Sequence, residues 1–209
     1  MKRNTDLDFI RAILIVLMIL IHIVSFGNAY PQLKAGILSF MMPTFLIITG
    51  YLVNIEKTGR QMGNYLKCLA LPYVIMVTGF SVLSYYMPVR DGITELSLSQ
   101  ICEKIFVTSI GPYWFIQTMI ICGTLYYFCF RGRNWNDLRK NYTKRDTYAS
   151  LFVFAVTLLL ISETPALSAS AAAYYFIGVV IRQSKTEWNK LFRHEFFAII
   201  LWIYMLNQD

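Results

Sequence analysis

The chain has 209 residues, of which 56% are hydrophobic and 15% charged, with a net charge of +7. Soluble domains carry about 25% charged residues, and here the apolar residues fall in long runs rather than short periodic patterns, which excludes a soluble fold. The chain therefore reads as an integral membrane protein, and its positive charge has to be interpreted by position.

Seven apolar segments follow in order, over residues 9–26, 35–54, 65–87, 112–130, 148–162, 166–181 and 196–206. The first four approach or exceed the roughly 17 to 25 residues that a helix needs to cross a bilayer. The fifth and sixth are short and joined by a tight turn at Glu163 to Ala166, and the seventh is too short to cross comfortably. Basic residues cluster in alternate flanks. Lys2 and Arg3 precede the first segment, and Lys57 and Arg60 follow the second. Arg131, Arg133, Arg139, Lys140, Lys144 and Arg145 follow the fourth, and Arg182, Lys185, Lys190 and Arg193 the sixth. The opposite loops are poorer, with Arg90 and Lys104 between the third and fourth segments. Such an asymmetry predicts a cytoplasmic N-terminus. The charge then orients the protein, and nucleic acid is not an expected partner.

The fold class expected is all-α: a polytopic transmembrane bundle of about seven segments, forming one integral membrane domain over residues 1–209. A cleaved secretory signal would also begin with Lys2 and Arg3, but this first run is long, carries His22 and is followed by further segments. Cys68, Cys102, Cys122 and Cys129 have no metal-ligand spacing and imply no disulfide framework, so no metal is expected. Between residues 88 and 111, Leu98, Ile101 and Ile105 share one helical side. That pattern suits a helix on the membrane surface or an ordinary loop.

Arg11 and His22 are the residues that hydrocarbon should reject, since a central charge costs about 2.5 kcal/mol or more. Eleven residues apart, they lie within roughly 20° of each other around a helix and about 16 Å apart along it. Asp8 shares that side and is placed to pair with Arg11. Arg11 alone could snorkel to the headgroups. His22 has no such escape at its expected depth. It is either a hydrogen-bonded core residue or a proton acceptor in a cavity, with the guanidinium in line with it suited to phosphate or carboxylate.

The stretch "DLDFIRAILIVLMILIH" resembles the opening of the membrane acyltransferase 3 family, in which arginine is followed after ten residues by histidine. "FMMPTFLIITGYLVN", "YLKCLALPY", "PYWFIQTMI" and "YYFIGVVIR" resemble its later motifs, at Thr49-Gly50-Tyr51-Leu52, Pro72-Tyr73, Trp114-Phe115 and Gly178, in the same order. The resemblance implies an O-acyltransferase of the inner (cytoplasmic) membrane, multi-pass, with no bound cofactor. It would move an acyl group, usually acetyl, from cytoplasmic acyl-CoA to a hydroxyl of a cell-surface glycan or lipid-linked sugar. On this reading His22 is the general base and Arg11 holds or polarises the donor. Lys57 and Arg60 contact its phosphates, and Trp114 and Gln117 line the substrate cavity. Family members usually have about ten membrane helices, so the chain is expected to lack the last of them. Alternatives are a truncated, inactive relative serving as a membrane or partner-binding protein, and a small transporter using Arg11 and His22 along its path.

Overall fold

A computed structural model describes residues 5–55, 57–87, 89, 91–131 and 144–184. Among these the order is α1 (Thr5–His22), α2 (Val24–Ala29), α3 (Pro31–Leu52), α4 (Gly59–Tyr86), α5 (Leu98–Phe106), a 3-10 turn (Gly111–Tyr113), α6 (Trp114–Arg131), α7 (Lys144–Ser162) and α8 (Ala169–Gln183). No strand occurs among the described residues, as the all-α expectation requires. Among the described residues three stretches are long and apolar enough to cross a membrane: Pro31–Leu52, Gly59–Tyr86 and Gly111–Phe130. Thr147–Ser162 is a shorter apolar helix. The seventh expected segment, 196–206, lies outside the described residues, as do Lys2, Arg3, Arg90 and the basic residues from Lys185 onward.

The first segment differs from its expected bounds of 9–26. The helix starts at Thr5 and stops at His22, because Ile23 adopts an extended backbone (φ −73°, ψ 110°). The Ile23 amide still reaches the Leu20 carbonyl at 3.2 Å, and its own carbonyl accepts from Gly27 at 2.9 Å to start α2. A β-branched residue settles readily into that extended conformation.

The third segment begins earlier than expected. Thr58 Oγ1 accepts from the Gln61 amide at 3.3 Å, and the Thr58 amide donates to Gln61 Oε1 at 2.9 Å. This reciprocal capping box satisfies two backbone donors and fixes the start at Gly59. α4 is consequently 28 residues long. At 1.5 Å per residue it spans about 42 Å, more than a ~30 Å hydrocarbon core.

The chain divides into two compact units, one drawing on Met1–Tyr51 and Ile177–Asp209, the other on Leu52–Phe176. In the second, α4 packs against α5 and α6, and α6 against α7. Tyr73, Val77 and Ile110 form a buried cluster with Ile105, Tyr113, Ile116 and Ile120 around it. The rings of Tyr126, Phe154 and Phe176 follow one another at centroid distances of 5.6 and 5.9 Å, tying α6 to α7 and α7 to α8.

In the first unit α3 and α8 come unusually close. A Cβ built on Gly178 would overlap the Ile47 carbonyl oxygen and lie 3.0 Å from the Tyr51 amide nitrogen. One turn further along α8, the Arg182 guanidinium sits 5.7 Å from the centre of the Tyr51 ring. Small residues permit this kind of backbone approach between membrane helices, where dispersion and hydrogen bonds replace a hydrophobic driving force.

Candidate active site

Within α1, Leu7, Leu14 and Ile21 are buried, a stripe recurring every seventh residue. At 100° per residue, Arg11 and His22 lie about 60° and 80° round the helix from Leu14. They share one side of α1, as their spacing predicts. Both side chains are exposed among the described residues. Asp8 is half-buried one turn before Arg11.

The break at Ile23 changes the setting of His22. Instead of lying mid-helix, it is the last residue of α1. Its Nδ1 lies 2.7 Å from the Met18 carbonyl oxygen. A carbonyl can only accept, so this contact assigns the proton to Nδ1 and leaves Nε2 with its lone pair in the neutral ring. The ring is thereby oriented by the backbone of its own helix.

Lys57 and Arg60 belong to the second unit and flank the start of α4. Lys57 Nζ lies 3.9 Å from the centre of the Tyr65 ring, and the Lys57 carbonyl accepts from Tyr127 Oη at 3.3 Å. Arg60 is exposed in the first turn. A helix N-terminus between two cations presents free backbone donors and partial positive charge, which together suit an anion. Beside it lies a cavity of about 160 Å³ lined by Gly59, Met62, Gly63 and Leu66 of α4 and Thr124, Tyr127 and Phe128 of α6. Its walls are largely apolar.

Trp114 opens α6, half-buried and edge-on to Phe115, with ring centroids 6.2 Å apart. Gln117, one turn on, is buried, and its Nε2 donates to the Phe106 and Val107 carbonyls at 3.2 and 3.3 Å. These are carbonyls at the C-terminus of α5, which no backbone donor within that helix can reach. Gln117→Leu is expected to destabilise the protein by about 1–3 kcal/mol, the cost of leaving buried acceptors without a donor. Thermal unfolding in detergent would reveal it as a lowered midpoint.

A family model for the acyltransferase domain of the acyltransferase 3 family matches residues 4–206, nearly the whole chain. The chain belongs to this acyltransferase family. No curated protein and no solved structure matches it. The match takes in both units, and with them Arg11, His22, Lys57, Arg60, Trp114 and Gln117. The three apolar helices of spanning length among the described residues and the family together make it a membrane protein of the acyltransferase family.

Residue-by-residue reading of the sequence missed the device that builds the α4 terminus. Thr58 followed three residues later by Gln61 is a capping-box signature, and it would have placed Lys57 and Arg60 at a helix start rather than in a plain loop. The cavity has no such signal, since glycines at positions 59 and 63 gain meaning only once α6 lies against them.

Proposed function

We propose that this protein is an O-acyltransferase that carries an acyl group, typically acetyl, from acyl-CoA to a hydroxyl of a cell-surface carbohydrate. The observation that carries the proposal is the Nδ1 contact of His22 with the Met18 carbonyl, which leaves Nε2 as the proton acceptor. In the transfer, Nε2 takes the proton of the acceptor hydroxyl as its oxygen bonds to the thioester carbonyl carbon. The C–S bond then breaks, and the departing thiolate recovers the proton from the imidazolium. Asp8 supports Arg11 from the preceding turn.

Arg11 is assigned to holding the donor rather than polarising its carbonyl. It lies about 16 Å from His22 along α1, too far for both to act on one thioester. The arm of CoA is long enough for its phosphate end to meet an arginine while the thioester reaches a distant base. Lys57, Arg60 and the first turn of α4 offer a second setting for donor phosphates, and the apolar cavity beside them suits an uncharged part of the donor. A cytoplasmic N-terminus would place these cations in the compartment that holds acyl-CoA. Trp114 and Gln117 are carried as acceptor-side residues of the same reading. The proposal locates the chain in the inner membrane as a multi-pass protein of about seven segments and a single functional domain.

The test is thiol release from acetyl-CoA by protein in nanodiscs, with and without carbohydrate prepared from the surface of the source cell. Acceptor-dependent release, with acetyl ester appearing on the carbohydrate, is the expected result. No release with any such carbohydrate would sink the reading and favour an inactive relative. Replacing Lys57 and Arg60 together by alanine is expected to raise the KM for acetyl-CoA about tenfold or more with kcat less affected, because hydrogen bonds to charged groups contribute about 1.5–3 kcal/mol. An unchanged KM would remove both residues from the donor site.

A further inference from the structure

The apolar arc of α5 is wider than its contacts use. At 100° per residue, Ile101, Ile105, Leu98, Cys102 and Phe106 succeed one another over roughly 140° of the helix, and Ser99, Glu103, Gln100 and Lys104 fill the rest. One edge of the arc meets protein, where Ile105 packs on the cluster of Tyr73, Val77 and Ile110. The other edge is bare. Leu98 is 78% and Phe106 70% exposed, and Cys102 between them is exposed as well. The polar side is tied to the turn that leads into the helix: Gln100 Oε1 accepts from the Thr94 and Glu95 amides at 3.0 and 3.2 Å.

A second, independent observation concerns the end of α5. Its terminal carbonyls are satisfied by side chains of the neighbouring helices rather than left to water. Tyr73 Oη donates to the Ile105 carbonyl at 2.8 Å, and Gln117 serves those of Phe106 and Val107. Tyr73 and Gln117 are 4% and 6% exposed. Internal satisfaction of this kind is what backbone needs where no water is at hand. α4, against which α5 packs, is itself rich in exposed apolar residues. Val74, Ile75, Met76, Phe80 and Leu83 of α4 are all exposed, and Tyr85 and Tyr86 end that helix, as aromatics do at a membrane boundary.

We propose that α5 is an interfacial helix whose Leu98, Cys102 and Phe106 edge is sunk among the acyl chains of the leaflet at the Tyr86 end of α4. Its Ser99 and Glu103 side faces the headgroups and water. The partner is lipid, and side-chain donors from α4 and α6 hold the helix at that depth. Amphipathic helices in this position bury their apolar face about 5–10 Å into the boundary.

Cys102 supplies the probe. In a Cys68→Ser, Cys129→Ser background, a nitroxide is attached at Cys102 in nanodiscs of phosphatidylethanolamine and phosphatidylglycerol. A second label sits at residue 103 through Glu103→Cys with Cys102→Ser. Collision with lipid-soluble oxygen is compared with collision with a water-soluble nickel chelate. The oxygen-to-nickel ratio is expected to be several-fold higher at 102 than at 103. Nickel-dominated collisions at both sites would place the helix in water and overturn the proposal. Shielding of residue 102 from both reagents would overturn it in favour of a protein contact. Oxygen-dominated collisions at both would mean that the helix is wholly submerged, which also contradicts an interfacial position.

Discussion

Replacing His22 by alanine is expected to lower acyl transfer by about 10²–10⁴-fold, the usual contribution of a positioned general base. The loss should fall on kcat and on kcat/KM alike, because proton transfer develops in the transition state and adds little to ground-state binding. The fold should tolerate the change. His22 ends α1 and is exposed, so its removal opens no core cavity. Its Nδ1 contact is with a carbonyl within its own helix. Membrane level and thermal midpoint of the variant should therefore match wild type.

Exposure of His22 also permits a sharper experiment than loss alone. Imidazole in solution should reach the space left in His22→Ala and restore part of the rate, in proportion to the free base added. A structural role for the ring would not respond in this way. Restoration by imidazole with wild-type amounts of membrane protein would establish the proton-acceptor role. Full activity of His22→Ala would sink it, and the single-helix pairing of Arg11 with His22 would then have to be read as topology alone.

The pairing was legible in the sequence because a single regular helix joins the two residues, and helical geometry is fixed by the backbone. The end of that helix was not legible. Apolar residues continue through Ile23, Val24 and Phe26, so hydropathy sees one run where the backbone makes a break. The same break makes His22 a helix end rather than a mid-helix residue. The α4 start shows the opposite case. The information was present in Thr58 and Gln61, but a scan for apolar runs gives polar residues at a segment edge to the loop.

Gln117 marks a different limit. Its position beside Trp114 near the head of α6 suggested a cavity-lining residue, and its observed contacts are with carbonyls ten and eleven residues earlier in the chain. Those acceptors exist only because α5 ends at Phe106 and its terminal carbonyls have no donor within the helix. Weak periodicity at Leu98, Ile101 and Ile105 hinted at that helix, but which edge would meet α4 depends on tertiary packing. Motif order, by contrast, was enough to find the family, since it requires no knowledge of which faces touch.

Gly178 was visible as a motif position, and the close crossing of α3 and α8 gives the physical reason for it. Gly178→Ala is expected to destabilise the protein by about 1–3 kcal/mol, and Gly178→Leu by more, since a core that cannot relax pays for added atoms. The obstacle is the backbone carbonyl of Ile47, which has no rotamer to move aside. The two helices would have to separate, loosening the Arg182–Tyr51 contact one turn away. Gly79→Ala is the matched control: it is also a helix-interior glycine, in α4, but a Cβ there meets nothing within 4 Å. Removing a glycine's backbone freedom without a clash should be neutral or stabilising by up to about 1 kcal/mol. Thermal unfolding of the two variants in one detergent should thus move in opposite directions, or at least separate clearly. Equal midpoints would mean that α3 and α8 can part at no cost, and that Gly178 serves something other than their approach.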